Sequence, residues 1–95
     1  MREYEVMYIL HPELDDEKVA AAMEKYNTLI QNNGGTVANA EKWGKRRLSY
    51  EIKGQREGTY VLASFSGGPA VSSELDRVMK ISDDVIRHLI VRKGD

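Results

Sequence analysis

Residues 44–65 read GKRRLSYEIKGQREGTYVLASF, and this stretch decides the fold because it contains two strands and the turn between them. Its first half alternates apolar and polar side chains, as is typical of a half-buried strand. Residues 53–58 contain two glycines and predict a turn, and residues 59–65 are again rich in β-forming side chains. Since the chain is already extended from residue 36, residues 36–65 are predicted to form one long β-hairpin.

Two details within the hairpin bear on its shape. Leu48, Tyr50 and Ile52 have the spacing that puts them on one face of a strand. Trp43 and Gly44 interrupt the alternation just before them, which predicts a bulge or a bend at that point.

The segment before the hairpin predicts a strand and a helix. Residues 3–10 alternate imperfectly, and the face that begins with Tyr4 is the more apolar one. Asp15 is a good N-cap, and apolar residues then recur at helical spacing, so a helix is predicted over residues 16–33. Gly34 and the glycine after it allow the helix to end there.

The segment after the hairpin repeats this pattern in reverse order. Pro69 is suited to the first position of a second helix, and residues 84–93 predict a last strand. The order β-α-β-β-α-β predicts the α+β class and the ferredoxin-like split motif, a four-stranded antiparallel sheet with two helices on one face. Ninety-five residues have room for one such domain, spanning residues 1–95.

The second face of this sheet has no helix to cover it. If Val6, Tyr8 and Leu10 face the helices, Met7 and Ile9 lie on the open face. Apolar side chains there predict a contact with a partner protein, although scattered surface residues are an equally good interpretation.

Composition excludes several classes of protein. The chain has no cysteine, which excludes disulfides and thiolate chemistry and is compatible with a reducing compartment. It contains neither an apolar run of the roughly 20 residues that a membrane span needs nor the apolar core of a signal peptide. A soluble cytoplasmic protein without a membrane partner is therefore expected.

The charge distribution is more informative than the formal net charge of −1. Residues 41–56 carry a net charge of +4 and residues 84–95 a net charge of +1, while residues 1–40 carry −4 and residues 57–83 carry −2. Local potential governs the encounter with a polyanion more than net charge does. The run Lys45 to Arg47, fixed on a strand, is suited to phosphate contacts, although solvated surface charges remain the alternative.

No convergent set of catalytic or metal-binding residues is recognisable. His11 and His88 lack metal-ligand spacing, and the acidic residues at the start of the first helix are explained by capping. Ser66 lacks the Gly-x-Ser-x-Gly context of a nucleophile. We therefore predict no enzyme activity, cofactor, metal or small-molecule substrate.

The fold is shared by proteins of several functions, and two of them do not fit. The third strand lacks the aromatic pattern of an RNA-recognition motif. The loop after the first strand, residues 11–14, is not the glycine-rich arginine loop expected of an acylphosphatase. A small-metabolite-sensing regulatory domain of the same fold remains the alternative interpretation.

Several segments resemble the bacterial small-subunit ribosomal protein six family. The resemblance is densest over residues 44–53 and extends to Arg2-x-Tyr4-Glu5-x-Met7, Pro12, Trp43-Gly44, Val85-Ile86-Arg87 and Val91-x-Lys93. The resemblance implies the ferredoxin-like fold and a structural ribosomal protein. It also implies binding to the central domain of small-subunit ribosomal RNA together with small-subunit ribosomal protein eighteen.

Together, the charge pattern and the resemblance predict an RNA-binding set made up of cations and two aromatic residues. Tyr4 and Trp43 are the candidates for stacking, with a place in the core as the alternative for Tyr4 and a packed bend for Trp43. The complete set is Arg2, Tyr4, Trp43, Lys45, Arg46, Arg47, Lys53, Arg56, Arg87, Arg92 and Lys93. The predicted partner-protein contacts are Met7 and Ile9.

Overall fold

A computed structural model describes residues 2–94 and contains the predicted β-α-β-β-α-β order. The elements are β1 (Arg2–Leu10), α1 (Asp16–Asn32), β2 (Thr36–Ile52), β3 (Gln55–Gly67), α2 (Pro69–Ile81) and β4 (Val85–Lys93). The four strands form one antiparallel sheet in the order β2-β3-β1-β4. The predicted α+β, ferredoxin-like class is confirmed.

The main core lies between the helices and one face of the sheet. Tyr8 and Leu10 are buried on this face, as the alternation of β1 predicts. The helices contribute the buried side chains Val19, Ala22, Tyr26 and Ile30 from α1 and Val71, Leu75 and Met79 from α2. Asp15 caps α1 as predicted, because its Oδ1 accepts a hydrogen bond from the Lys18 amide at 2.9 Å.

The hairpin turn is shorter than the sequence predicts. Lys53 and Gly54 have φ angles of 51° and 79°, as in the two-residue turns that join antiparallel strands, and β3 already begins at Gln55. Gly58 lies inside β3 and not in the turn. Glycine is required at this position because a Cβ would clash with the Ile9 side chain and lie 3.0 Å from the Leu10 carbonyl oxygen. The predicted turn over residues 53–58 is therefore wrong at its second glycine.

The end of β2 contains extra residues that change the shape of the sheet. Arg47 pairs with Glu57 and Ile52 with Gln55, so residues 48–51 lie opposite Arg56 alone. We call residues 48–52 the strap, because this excess length lets them arch over the open face of the sheet. The predicted irregularity near Trp43 is also present, as a register shift between Lys42 and Gly44.

The strap covers one end of the open face. Leu48 is buried in a small second cluster with Ile9 and Ile86, separate from the main core. Ile9 lies on the open face as predicted, but it is only 6% exposed. The strap covers most of Ile9, but this residue still lines a cleft on the open face, so its contact with a partner protein stays a prediction.

A histidine–carboxylate contact fastens α2 to the edge strand β4. Oδ1 of Asp76 lies 2.7 Å from Nε2 of His88, and its other oxygen lies 3.0 Å from Nζ of Lys80. His88 thus makes an ordinary structural contact. First His88 and then Lys80 lower the pKa of the Asp76 carboxyl from its usual value.

This contact predicts a small acid sensitivity of the folded state. A lowered folded-state pKa contributes stability above the unfolded value of about 4, and this stability is lost as pH falls through the folded pKa. Because the Asp76 side chain is 42% exposed, we expect less than about 1 kcal/mol. Thermal melts between pH 7 and pH 2 should show a smaller acid loss for Asp76→Asn than for wild type, and equal losses would contradict the assignment.

Candidate RNA and protein interfaces

The densest group of cations lies on the edge strand β2. Lys45, Arg46 and Arg47 are all exposed, and among residues 2–94 none of them forms an ion pair. Lys45 pairs with Thr59 in the sheet, and Arg46 pairs with Gly58. Successive side chains of a strand point to opposite faces, so these cations project on both sides of the sheet edge.

Trp43 lies beside this group and is open to contact. Its side chain is 41% exposed, and the Arg46 guanidinium carbon lies 5.8 Å from the centre of its ring. An aromatic face paired with a guanidinium is the kind of surface on which an unpaired base stacks. The role of Trp43 in stacking stays a prediction.

Three further cations lie at the same end of the sheet. Lys53 is exposed in the turn, Arg56 lies 3.5 Å from a Glu51 carboxylate oxygen, and Nη1 of Arg87 donates to the Tyr50 hydroxyl at 2.6 Å. We refer to Lys45, Arg46, Arg47, Lys53, Arg56 and Arg87 as the hairpin-end cations. The strap brings Arg87, from the opposite edge strand, into contact with β2.

The remaining predicted cations lie at the other end of the sheet. Arg2, Arg92 and Lys93, the far-end cations, pair with residues at the start of β1 or the end of β3. Nζ of Lys93 lies 4.0 Å from a Glu5 carboxylate oxygen. Along β1, Glu3 marks the far end and Leu10 the hairpin end. At roughly 3.3 Å per residue, the two ends are about 23 Å apart. The positive charge therefore lies at two ends of one sheet, and residues 84–95 contribute to both, with Arg87 at the hairpin end and Arg92 and Lys93 at the far end.

Tyr4 does not belong to this exposed set. It is 6% exposed, and its ring stacks on Phe65 with centroids 5.3 Å apart and an angle of 17° between the planes. The ring is part of the main core, and the face that stacks on Phe65 is not available to a base. The prediction that Tyr4 stacks on RNA is wrong, and the alternative of a core residue is confirmed.

An apolar strip crosses the open face between the two groups of cations. Met7 lies between Leu62 on β3 and Leu89 on β4, and Val91 continues the strip along β4. Leu89 is 57% exposed. We call Met7, Leu62, Leu89 and Val91 the apolar strip.

Only Met7 of this strip is among the partner contacts predicted from the sequence. Leu89 and Val91 belong to the continuous apolar run Leu89–Val91 of β4, and a strand that is apolar on both faces is the signal that could have indicated them. Tyr50 was assigned to a strand face, but its contact with Arg87 depends on the path of the strap.

Residues 2–94 contain no cluster of three or more histidine or carboxylate side chains arranged to hold a metal ion. Neither helix in this range is long and apolar enough to cross a membrane.

Comparison with known proteins identifies one family. The family described as ribosomal protein S6 matches residues 3–92. The small ribosomal subunit protein bS6 of Desulforamulus reducens is 56% identical over 95 residues, which cover 100% of both chains. The bS6 protein of Carboxydothermus hydrogenoformans is 50% identical over 93 residues, or 98% of this chain and 97% of its own.

Solved structures agree with this result. The crystal structure of 30S ribosomal protein S6 from Thermotoga maritima matches with a TM-score of 0.91 and 28% identity, covering 97% of this chain and 87% of that one. A protein of Arabidopsis thaliana with a TM-score of 0.58 and 13% identity shares the fold alone.

Membership of this family agrees with three predictions made from the sequence, which concern enzyme activity, location and association with ribosomal RNA. The relatives are structural ribosomal proteins, which agrees with the prediction of a protein without enzyme activity. As proteins of the small ribosomal subunit they work on the ribosome in the cytoplasm, in association with ribosomal RNA. The chain belongs to the ribosomal protein S6 family, whose members are proteins of the small ribosomal subunit.

Proposed function

We propose that this chain is a structural constituent of the small ribosomal subunit that binds the central domain of its RNA together with small-subunit ribosomal protein eighteen. The observation that carries the proposal is the division of the surface. Exposed cations lie at both ends of the sheet, and the apolar strip lies between them.

The cations are suited to hold RNA by its phosphates. A surface of this kind fixes position and orientation, and affinity then falls with salt because counterions are released on binding. Specificity would come mainly from the shape of a folded RNA junction. The first turn of α1 carries Asp16 and Glu17, and Oδ1 of Asp16 lies 3.5 Å from Nζ of Lys42 on β2. We therefore assign the RNA contacts to the hairpin-end and far-end cations and not to Lys42.

The apolar strip is suited to a protein. Its aliphatic side chains offer no aromatic surface on which bases could stack, and burial of exposed apolar area drives protein association. Glu5 lies on the same face beside Val91 and disfavours an RNA phosphate at that position. We therefore assign Met7 to the contact with protein eighteen.

This arrangement predicts weak RNA binding by the isolated chain. Few phosphates can be neutralised by a chain of net charge −1, so tight binding should require protein eighteen. Filter-binding titrations with a central-domain RNA fragment at several salt concentrations should show weak, salt-sensitive binding alone and tighter binding with the partner. Tight, salt-insensitive binding by the isolated chain would contradict the proposal.

Sedimentation separates this proposal from the regulatory-domain alternative. A ribosomal protein should sediment with small subunits from a cell extract, whereas a metabolite-sensing domain should remain in the soluble fraction. Washing the subunits at increasing salt should release the chain progressively, because its RNA contacts are electrostatic.

A further inference from the structure

We infer that the cleft beneath the strap is an anchor site for one apolar side chain of a protein partner, with a carboxylate of the same partner segment bound to Arg87. This inference rests on the proposed function and deepens it by naming the chemistry that the partner must present. The observation behind it is a cleft on the open face that the chain leaves unfilled.

The size and lining of the cleft determine what can enter it. It has a volume of about 180 Å³, with Met7 and Leu89 on the sheet side, Leu48 and Ile52 on the strap side, and the rings of Tyr50 and Tyr60 completing its apolar lining. A dry apolar cavity of about 150 Å³ binds benzene, so this cleft has room for one side chain of the size of leucine or phenylalanine. Burying such a side chain contributes roughly 1.5–3 kcal/mol.

Arg87 supplies the polar part of the site. Its guanidinium lines the cleft and donates one hydrogen bond to the Tyr50 hydroxyl at 2.6 Å. A guanidinium has five N–H donors in a planar fork, so the others remain able to bind a carboxylate with two parallel hydrogen bonds. Tyr50, which is 61% exposed, thus holds Arg87 in place at the mouth of the cleft.

The composition of this face favours a protein segment over an RNA base. Met7 and Leu89 belong to the apolar strip, so the cleft continues the surface assigned to the partner protein. The positive charge of the hairpin end selects an acidic group beside the apolar anchor.

The first test fills the cleft from the strap side and leaves the apolar strip intact. Ile52→Trp should weaken binding to protein eighteen at least tenfold in isothermal titration calorimetry, because the larger side chain occupies the cleft. Arg87→Glu should do the same by repelling the partner carboxylate. Ile81→Trp and Arg77→Glu are matched controls on α2, far from the cleft in the fold, and should bind like wild type.

A second measurement uses the wild-type chain, so it does not depend on how well a variant folds. In a methyl NMR titration with protein eighteen, the Leu48 and Ile52 methyl groups should show contacts to an aliphatic or aromatic partner side chain. Normal binding by both Ile52→Trp and Arg87→Glu would overturn the inference while the proposed function stands. Failure of the wild-type chain to bind protein eighteen would overturn the proposed function itself. If a central-domain RNA fragment alone shifts these methyl groups, the cleft takes a base and the inference is wrong.

Discussion

Replacing Arg46 and Arg47 together with alanine should weaken binding of central-domain RNA by the complex with protein eighteen about tenfold to a hundredfold. A hydrogen bond contributes about 0.5–1.5 kcal/mol net, so two lost contacts cost roughly 1–3 kcal/mol, and each factor of ten in affinity corresponds to about 1.4 kcal/mol. Filter binding by the preformed complex over a series of salt concentrations measures the effect. The slope of log affinity against log salt should become shallower by about one to two.

The structure explains why this pair should affect binding without affecting the fold. Both side chains are exposed, and within the described part of the chain neither forms an ion pair. Surface changes of this kind usually alter stability by no more than about 0.5 kcal/mol. The melting temperature of the isolated chain should therefore stay within about 4 °C of wild type.

A charge-matched control separates a local contact from general electrostatic attraction. Lys18→Ala with Lys25→Ala removes the same charge from exposed positions on α1, and this variant should lose at most a few-fold in RNA affinity. Equal losses for the two double variants would mean that Arg46 and Arg47 act only through net charge. Loss of folding in the arginine variant would mean that the pair is structural.

Features that depend on local sequence were predictable. The alternation of β1, the cap at Asp15 and the helix entry at Pro69 each depend on residues close together in the chain, and the structure confirms all three. The run Lys45 to Arg47 was also visible, because its charge density needs no knowledge of the fold. The element order then follows from these local features.

Features that depend on pairing between distant strands were not predictable. The strap exists because β2 has more residues than β3 between two paired positions, and only the register shows this excess. Glycine is a common turn residue, yet Gly58 lies in a strand, where the absence of a side chain allows the close approach of Ile9 from β1. The separation of the cations into two ends likewise requires the strand order and the registers.

The burial of Tyr4 also could not be predicted from the sequence. Alternation places it on the apolar face of β1 but does not say whether that face is covered at the far end of the sheet. The stacked contact with Phe65 on β3 and the packing of the helices determine its burial. An aromatic residue two positions from Arg2 in the sequence suggested a contact with RNA. Only the tertiary packing shows that Tyr4 is a core residue.

Tyr4→Ala should therefore destabilise the protein strongly. Truncating a buried aromatic side chain typically costs 3–5 kcal/mol, through lost burial and the cavity left behind. The stacked pair with Phe65, whose ring centres are 5.3 Å apart, adds an aromatic contribution that alanine cannot replace. For a domain of this size, the melting temperature should fall by at least about 12 °C, as measured by circular dichroism or calorimetry.

Two comparison variants make this result specific to the core role. Tyr4→Phe keeps the ring and should cost less than about 1.5 kcal/mol. Trp43→Ala removes an aromatic side chain that is 41% exposed and should change the melting temperature far less than Tyr4→Ala. A Tyr4→Ala protein with a nearly unchanged melting temperature and weakened RNA binding would restore Tyr4 as an RNA contact. If stability falls instead and Tyr4→Phe binds RNA normally, the ring acts by fixing β1 against the helices, and through β1 it holds the far-end cations in place.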